Sequence, residues 1–79
     1  DQDRWRREWQ LHILAMAMKQ LKLRLEDSTF QAFELYAVQG EDPAVVARFL
    51  RIPVGMVYVA KSRALALLRK IVRELQKEE

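Results

Sequence analysis

Cysteine is absent from the 79-residue sequence, so neither a disulfide framework nor a thiolate metal site can form. Long apolar runs are absent as well: the longest covers residues 13–18, far short of the roughly 20 residues that cross a bilayer. The chain also opens without the apolar segment of a secretory signal peptide. These absences fit a reducing compartment, and we expect a cytoplasmic protein that does not associate with membranes.

Glycine and proline are scarce, with two of each in the sequence. The remaining residues are rich in Leu, Ala, Arg, Lys, Glu and Gln, which are strong helix formers. A chain of 79 residues can form one small, compact core and hence one domain at most. We therefore expect a single all-α domain over residues 1–79.

Chemically reactive side chains are few. His12 is the sole histidine, and no set of Asp, Glu or Cys side chains at ligand spacing converges on it. The sequence contains no nucleophile–base set and no phosphate-binding loop. We expect a protein that is not an enzyme, without catalytic residues, a metal site or a cofactor.

The charge is divided unevenly along the chain. Residues 1–47 contain six Lys or Arg against eight Asp or Glu, a net charge of −2. Residues 48–77 contain eight Lys or Arg against Glu74 alone, a net charge of +7. Because a polyanion binds where positive charge accumulates, the C-terminal part is the candidate nucleic-acid-binding region.

Apolar spacing and helix-breaking residues predict four helices. The first covers about residues 4–25 and has two neighbouring apolar lines, one of Leu and Met and one that starts with the two tryptophans. The second begins at Ser28, which we expect to form a capping box with Gln31, and it ends at Gly40. Asp42 caps the third helix, and the fourth covers about residues 54–76.

The third and fourth helices, joined by a three-residue turn, predict a C-terminal helix-turn-helix over about residues 43–75. Ala47 is small where the second helix of such a motif crosses the first. Arg51 stands at a turn position that often holds Gly. The angle between the helices is filled by apolar side chains, namely Val46, Leu50, Ile52, Val57 and Ala60. The alternative is an ordinary helical hairpin.

The outward face of the fourth helix has the composition of a DNA-reading surface. With Val57 and Ala64 turned inward, small, aromatic and basic side chains point outward, and no acid precedes Glu74. Gly55 lets the helix N-terminus approach a phosphate. The alternative is a basic face that contacts only solvent. The predicted DNA-binding residues are Arg51, Val54, Gly55, Tyr58, Val59, Lys61, Ser62 and Arg63.

The first helix has more apolar surface than one helix in a small bundle needs. Its two tryptophans lie one helical turn apart, and Trp is favoured at protein interfaces. The alternative is that these side chains fill the core. The predicted partner-binding residues are Trp5, Trp9, Ile13 and Met16.

The segment from Phe33 to Arg69 resembles region 4 of bacterial sigma factors, their C-terminal promoter-reading domain, and is most similar to the extracytoplasmic-function group. That family has an aromatic and Leu-rich helix ending in Gly, an apolar helix, an IPVGTV turn and a basic recognition helix. Residues 52–57 here read IPVGMV, which differs only at Met56. The family often has Lys or Arg, Ser and Arg directly after the turn. Here residues 58–60 are Tyr, Val and Ala, so the family's base preference does not carry over.

The resemblance implies recognition of the −35 promoter element in double-stranded DNA, which directs transcription initiation. It also implies docking on the β flap of core RNA polymerase and an anti-sigma factor as a further partner. A complete factor contains an upstream domain that melts the −10 region, so the resemblance implies a longer factor of which this chain is one part. Two alternatives stay open. One is the DNA-binding output domain of a stand-alone or response-regulator transcription factor, which dimerises; the other is a helical adaptor that binds only protein.

Overall fold

The computed structural model describes residues 1–77, which form four helices. No strand occurs in this part of the chain. The all-α class and the number of helices predicted from the sequence are confirmed. In chain order the helices are α1 (Gln2–Arg24), α2 (Asp27–Phe33, continued by a π-helical segment at Glu34–Val38), α3 (Pro43–Leu50) and α4 (Val54–Lys77).

The start of α2 differs from the prediction. The helix begins at Asp27 with Glu26 as its N-cap residue, and Ser28 lies inside the first turn. The amide N–H of Phe30 donates to the Glu26 carbonyl oxygen at 3.0 Å, so the first turn closes two residues earlier than a Ser28 cap allows. The predicted capping box of Ser28 and Gln31 is therefore wrong. Asp27 is favourable at this place because a carboxylate in the first turn interacts with the positive end of the helix dipole.

The second half of α2 widens before the helix ends. The amide N–H of Gln39 donates to the carbonyl oxygen of Glu34, five residues earlier, at 2.9 Å, which is the spacing of a π-helix. Gly40 follows with a φ of 75°, the left-handed conformation that Gly adopts without a Cβ penalty. The predicted helix stop at Gly40 is confirmed.

The start of α3 agrees with the prediction. The side chain of Asp42 accepts a hydrogen bond from the amide N–H of Ala44 at 2.8 Å. Pro43 occupies the first helical position, where its missing N–H costs no hydrogen bond. This cap determines where the chain leaves the α2–α3 connection, and so it positions α3.

Residues 51–53 connect α3 to α4. Arg51 has the left-handed dihedral angles φ 59° and ψ 46°, the conformation for which Gly is the usual residue. The amide N–H of Ile52 donates to the carbonyl oxygen of Ala47 at 3.0 Å and closes the end of α3. The two helices are bent by 100° at this connection. No single helix among residues 1–77 is both long and apolar enough to cross a bilayer, and α3 and α4 meet that requirement only when they are taken together as this bent pair.

Two apolar clusters lie on either side of α2. The larger one joins α1, α2 and the second half of α4, and consists of Ile13, Ala17, Leu21, Phe30, Phe33, Ala64, Ile71 and Leu75. The smaller one joins α2, α3 and the first half of α4, and consists of Ala32, Val46, Ala47, Val57 and Ala60. Ala47 is only 7% exposed, so its predicted burial against the fourth helix is confirmed.

α1 buries one line of side chains, where the sequence offers two. Ile13, Ala17 and Leu21 are buried at successive four-residue steps. Leu11 and Leu14 belong to the predicted apolar lines but are exposed, because only one side of α1 contacts α2 and α4. An exposed apolar surface therefore remains on α1.

Candidate nucleic-acid interface

The small apolar cluster holds the start of α4 at a defined angle to α3. Val57 and Ala60 on α4 pack against Val46 and Ala47 on α3, and Val57 is fully buried. A small side chain at Ala47 allows the two helix backbones to approach closely. The opposite side of α4 consequently points away from the rest of the molecule.

All eight predicted DNA-binding residues are exposed. On α4, helical geometry places Gly55, Val59 and Ser62 on one line that faces away from the buried side of the helix. The same geometry places Lys61 on one flank of this line and Arg63 on the other. We call the surface formed by Val54, Gly55, Tyr58, Val59, Lys61, Ser62 and Arg63 the outer face of α4.

One flank of the outer face is held by an aromatic contact with α2. The ring of Tyr58 meets the ring of Tyr36 edge-on, with centroids 5.6 Å apart and planes at 84°. The Nζ atom of Lys61 lies 5.5 Å from the centroid of the same Tyr36 ring. A cation over an aromatic ring contributes about 0.5–1 kcal/mol at an exposed site. Tyr36 therefore positions two of the predicted DNA-binding side chains, a role that the sequence did not reveal because it depends on the packing of α2 against α4.

The other flank of the outer face meets the first turn of α2. Ser28 and Thr29 line a shallow depression together with Met56, Val59 and Arg63 of α4. Two hydroxyl groups thus lie beside the guanidinium flank of the outer face. Ser28 belongs to the first turn of α2, and its side chain is exposed beside α4. No pattern in the sequence pointed to this neighbourhood.

The basic side chains at positions 48–77 are exposed and make no ion pair with a carboxylate among the described residues. Within residues 1–77, no carboxylate lies within 4.0 Å of any of the eight basic groups at positions 48–77. Glu74, the one acid among them, contacts Arg24 of α1 at 3.8 Å. The field of these cations is therefore open to an external polyanion. The groups are Arg48, Arg51, Lys61, Arg63, Arg69, Lys70, Arg73 and Lys77.

The four predicted partner-binding residues do not share one surface. Ile13 is 5% exposed and belongs to the larger apolar cluster, so its placement on a docking surface is wrong. Trp9 is half-buried against that cluster and stacks on Trp5, with ring centroids 6.1 Å apart and planes at 2°. Trp5 and Met16 are exposed. The exposed apolar surface of α1 is thus smaller than the sequence predicted, because α1 needs Ile13 for the core.

No protein-family model, no curated protein and no solved structure matches this chain. Residues 1–77 contain no group of three or more His, Asp or Glu side chains that could hold a metal ion. The outer face of α4 combines open positive charge, small and apolar side chains at its centre and a rigid attachment to α2 and α3. A surface of this kind has the shape and charge to bind a double-helical nucleic acid, a polyanion whose grooves admit a helix.

Proposed function

We propose that this chain is a promoter-binding domain that inserts the outer face of α4 into the major groove of double-stranded DNA. In this proposal α3 and α4 are a helix-turn-helix of the sigma region 4 type, and α4 is the recognition helix. The chain acts by binding, with no catalytic step of its own. It works in the cytoplasm, where it directs RNA polymerase to a −35 element.

The observation that supports the proposal best is the geometry of α3 and α4. Helix-turn-helix motifs join two helices at about 90–120° through a turn of three to four residues. Here the connection is residues 51–53 and the bend is 100°. An ordinary antiparallel helical hairpin would instead fold α4 back along α3. The bend exposes the start of α4, which is the part of a recognition helix that contacts base edges.

The distribution of charge agrees with this geometry. Arg51, Lys61 and Arg63 surround the centre of the outer face, where they can reach phosphates on both sides of a groove. The basic residues farther along α4 extend the positive surface toward Lys77. A helical adaptor that binds only protein has no need for a face whose cations make no ion pair within residues 1–77.

The sigma-factor identity rests on the IPVGMV segment at residues 52–57. That segment forms the second half of the bent connection and the first residues of α4. Core RNA polymerase, through its β flap, and an anti-sigma factor are the protein partners in this proposal. Retention of the chain by core polymerase or by a flap fragment would support it, whereas a DNA-bound dimer without polymerase would favour a stand-alone regulator.

Salt-dependent DNA binding tests the proposal directly. The chain is titrated with a fluorescent duplex at several salt concentrations, alongside Lys61→Ala, Arg63→Ala and the control Arg7→Ala. Losing one phosphate contact lowers the slope of log affinity against log salt by roughly one unit. Arg7→Ala removes the same charge from an exposed position on α1, so it should leave the slope unchanged. Equal behaviour of all three variants would show that the outer face of α4 is not the DNA-binding surface.

A further inference from the structure

The outer face of α4 is poor in side chains that read purines. Two-hydrogen-bond recognition of a base uses Arg or Lys for guanine and Asn or Gln for adenine. Residues 54–62 include no Arg, Asn or Gln. Their only cation, Lys61, has its ammonium group over the ring of Tyr36, at the flank of the face. Two-hydrogen-bond readout of a purine is therefore not available at the centre of the outer face, where Ser62 is the one polar side chain.

What the centre of the outer face does offer is an exposed aliphatic side chain. Val59 is 37% exposed and stands between Gly55, one turn earlier, and Ser62, one turn later. Gly55 has no side chain, and a Cβ atom added there would meet nothing within 4 Å. Along this line, the isopropyl group of Val59 therefore projects beyond the shorter Gly55 and Ser62. It is the apolar side chain on the central line of the outer face, whereas the ring of the more exposed Tyr58 is held toward Tyr36 at the flank.

The base edge that matches an aliphatic side chain is that of thymine. In the major groove only thymine presents a methyl group, and apolar side chains recognise it by contact. We propose that Val59 is a specificity-determining residue that contacts the C5-methyl group of thymine. This inference rests on the proposed function and names the base class that the domain prefers.

The surrounding charges fit this role. Arg63 on one flank and Lys61 on the other provide phosphate contacts, which position a helix but carry no sequence information. Lys61 is held toward α2 by Tyr36, away from the base edges. The cations thus set the depth and orientation of α4, and Val59 is left to contact a base.

The test begins by selecting binding sites with the full chain. A pool of duplexes with a randomised 12-base-pair segment is bound at about 50 mM salt, where phosphate contacts are strong. The enriched duplex is then resynthesised with deoxyuridine in place of each thymine in turn, which removes only the methyl group. Losing one buried methyl contact lowers affinity about fourfold. We expect that loss at one or two positions.

Val59→Ser identifies the side chain responsible. Serine and valine have similar helix propensities, and position 59 is exposed, so the variant should fold normally. It should bind the thymine and deoxyuridine duplexes equally, at the affinity that the parent has for the deoxyuridine duplex. The control Val45→Ser makes the same change at a 45% exposed valine on α3 and should retain the fourfold preference.

The outcomes separate this inference from the proposed function. DNA binding with no loss at any deoxyuridine position overturns the methyl contact and leaves the DNA-binding role in place. A thymine preference that persists in Val59→Ser overturns the assignment to Val59. Failure of the chain to bind any duplex at 50 mM salt overturns both the function and the inference.

Discussion

The amide N–H of Ile52 donates a hydrogen bond to the carbonyl oxygen of Ala47, with a nitrogen–oxygen distance of 3.0 Å. This bond spans the end of α3 and requires the intervening Arg51 to adopt left-handed dihedral angles. The same turn brings Ile52 onto the small apolar cluster that contains Ala47. The turn, the cluster and the 100° bend are therefore one connected arrangement.

Arg51→Gly should stabilise the fold and weaken DNA binding at the same time. A non-glycine residue in the left-handed conformation costs about 1 kcal/mol, and removing that cost raises the melting temperature by about 4–8 °C in a domain of this size. Loss of the guanidinium removes a predicted phosphate contact. Thermal unfolding followed by circular dichroism measures the first effect, and duplex titration measures the second.

Arg48→Gly is the control for that variant. Arg48 is exposed and has the same charge, but it lies inside α3, where Gly costs about 1 kcal/mol. The two glycine variants should therefore shift the melting temperature in opposite directions. A lower melting temperature for Arg51→Gly would mean that the turn depends on a contact of the arginine side chain.

Ala47→Leu should disrupt the crossing of α3 and α4. Overpacking a tight apolar contact costs about 1–3 kcal/mol, and the three-residue connection leaves little room for the helices to separate. Urea unfolding measures the loss. Ala44→Leu makes the same change at an exposed position of α3 and should alter stability by less than about 0.5 kcal/mol. Equal stability of the two variants would refute the close approach at Ala47.

The two predicted helix caps should give different results when removed. Asp42→Ala deletes a side-chain cap that accepts a 2.8 Å hydrogen bond, which costs about 1 kcal/mol. Ser28→Ala affects a residue that lies inside the first turn of α2, so the free energy of unfolding should change by less than about 0.5 kcal/mol. Chemical unfolding of both variants makes the comparison. A loss of about 1 kcal/mol in Ser28→Ala would restore Ser28 as the cap.

The features that the sequence predicts correctly are those that depend on residues close together in the chain. Gly40, Asp42 and Pro43 act on their own backbone neighbours, so the helix boundaries near them could be predicted. The π-helical segment at residues 34–38 could not, because its widening depends on how α2 meets its neighbours. The sequence predicts Ser28 as the cap because Ser is a common cap residue, but Asp27 is favourable in a first turn and allows the helix to begin earlier.

In the candidate site, exposure along α4 could be predicted from the sequence, whereas contacts between helices could not. Helical geometry alone identifies which residues of α4 point outward, and all of the predicted ones are exposed. The contact of Tyr36 with Tyr58 and Lys61 joins residues more than 20 positions apart, and nothing in their local sequence indicates it. The burial of Ile13 could not be separated from the exposure of Leu14, since both are apolar and α1 offers two apolar lines.

Tyr36→Leu should weaken DNA binding although Tyr36 is outside the outer face. The substitution removes the ring that positions Tyr58 and Lys61. The contact of Lys61 with this ring contributes about 0.5–1 kcal/mol, so the affinity for DNA should fall about two- to fivefold. Tyr36→Phe keeps the ring and should bind DNA like the parent. Combining Tyr36→Leu with Lys61→Ala should give less than the product of the two single losses, because both act on one contact. Independent losses would separate Tyr36 from Lys61.

The chain should bind DNA weakly by itself and tightly with a partner. One recognition helix in a small module buries only about 600–1,000 Å² on DNA, the low end for specific complexes. Tethering by core polymerase would raise the effective concentration of the outer face at its site. The exposed part of α1 around Trp5, which is 66% exposed, is the surface we expect to contact that partner.

Titration of a selected duplex and a scrambled duplex, each with and without core polymerase or its flap fragment, measures this coupling. Trp5→Ala should abolish the gain from the partner while leaving the weak binding of the isolated chain unchanged. Leu23→Ala removes a still more exposed apolar side chain near the other end of α1, about 27 Å away along the helix, and should keep the gain. Nanomolar, sequence-selective binding by the chain alone would contradict the tethering model and favour a stand-alone regulator, because such a protein needs no polymerase to reach its site.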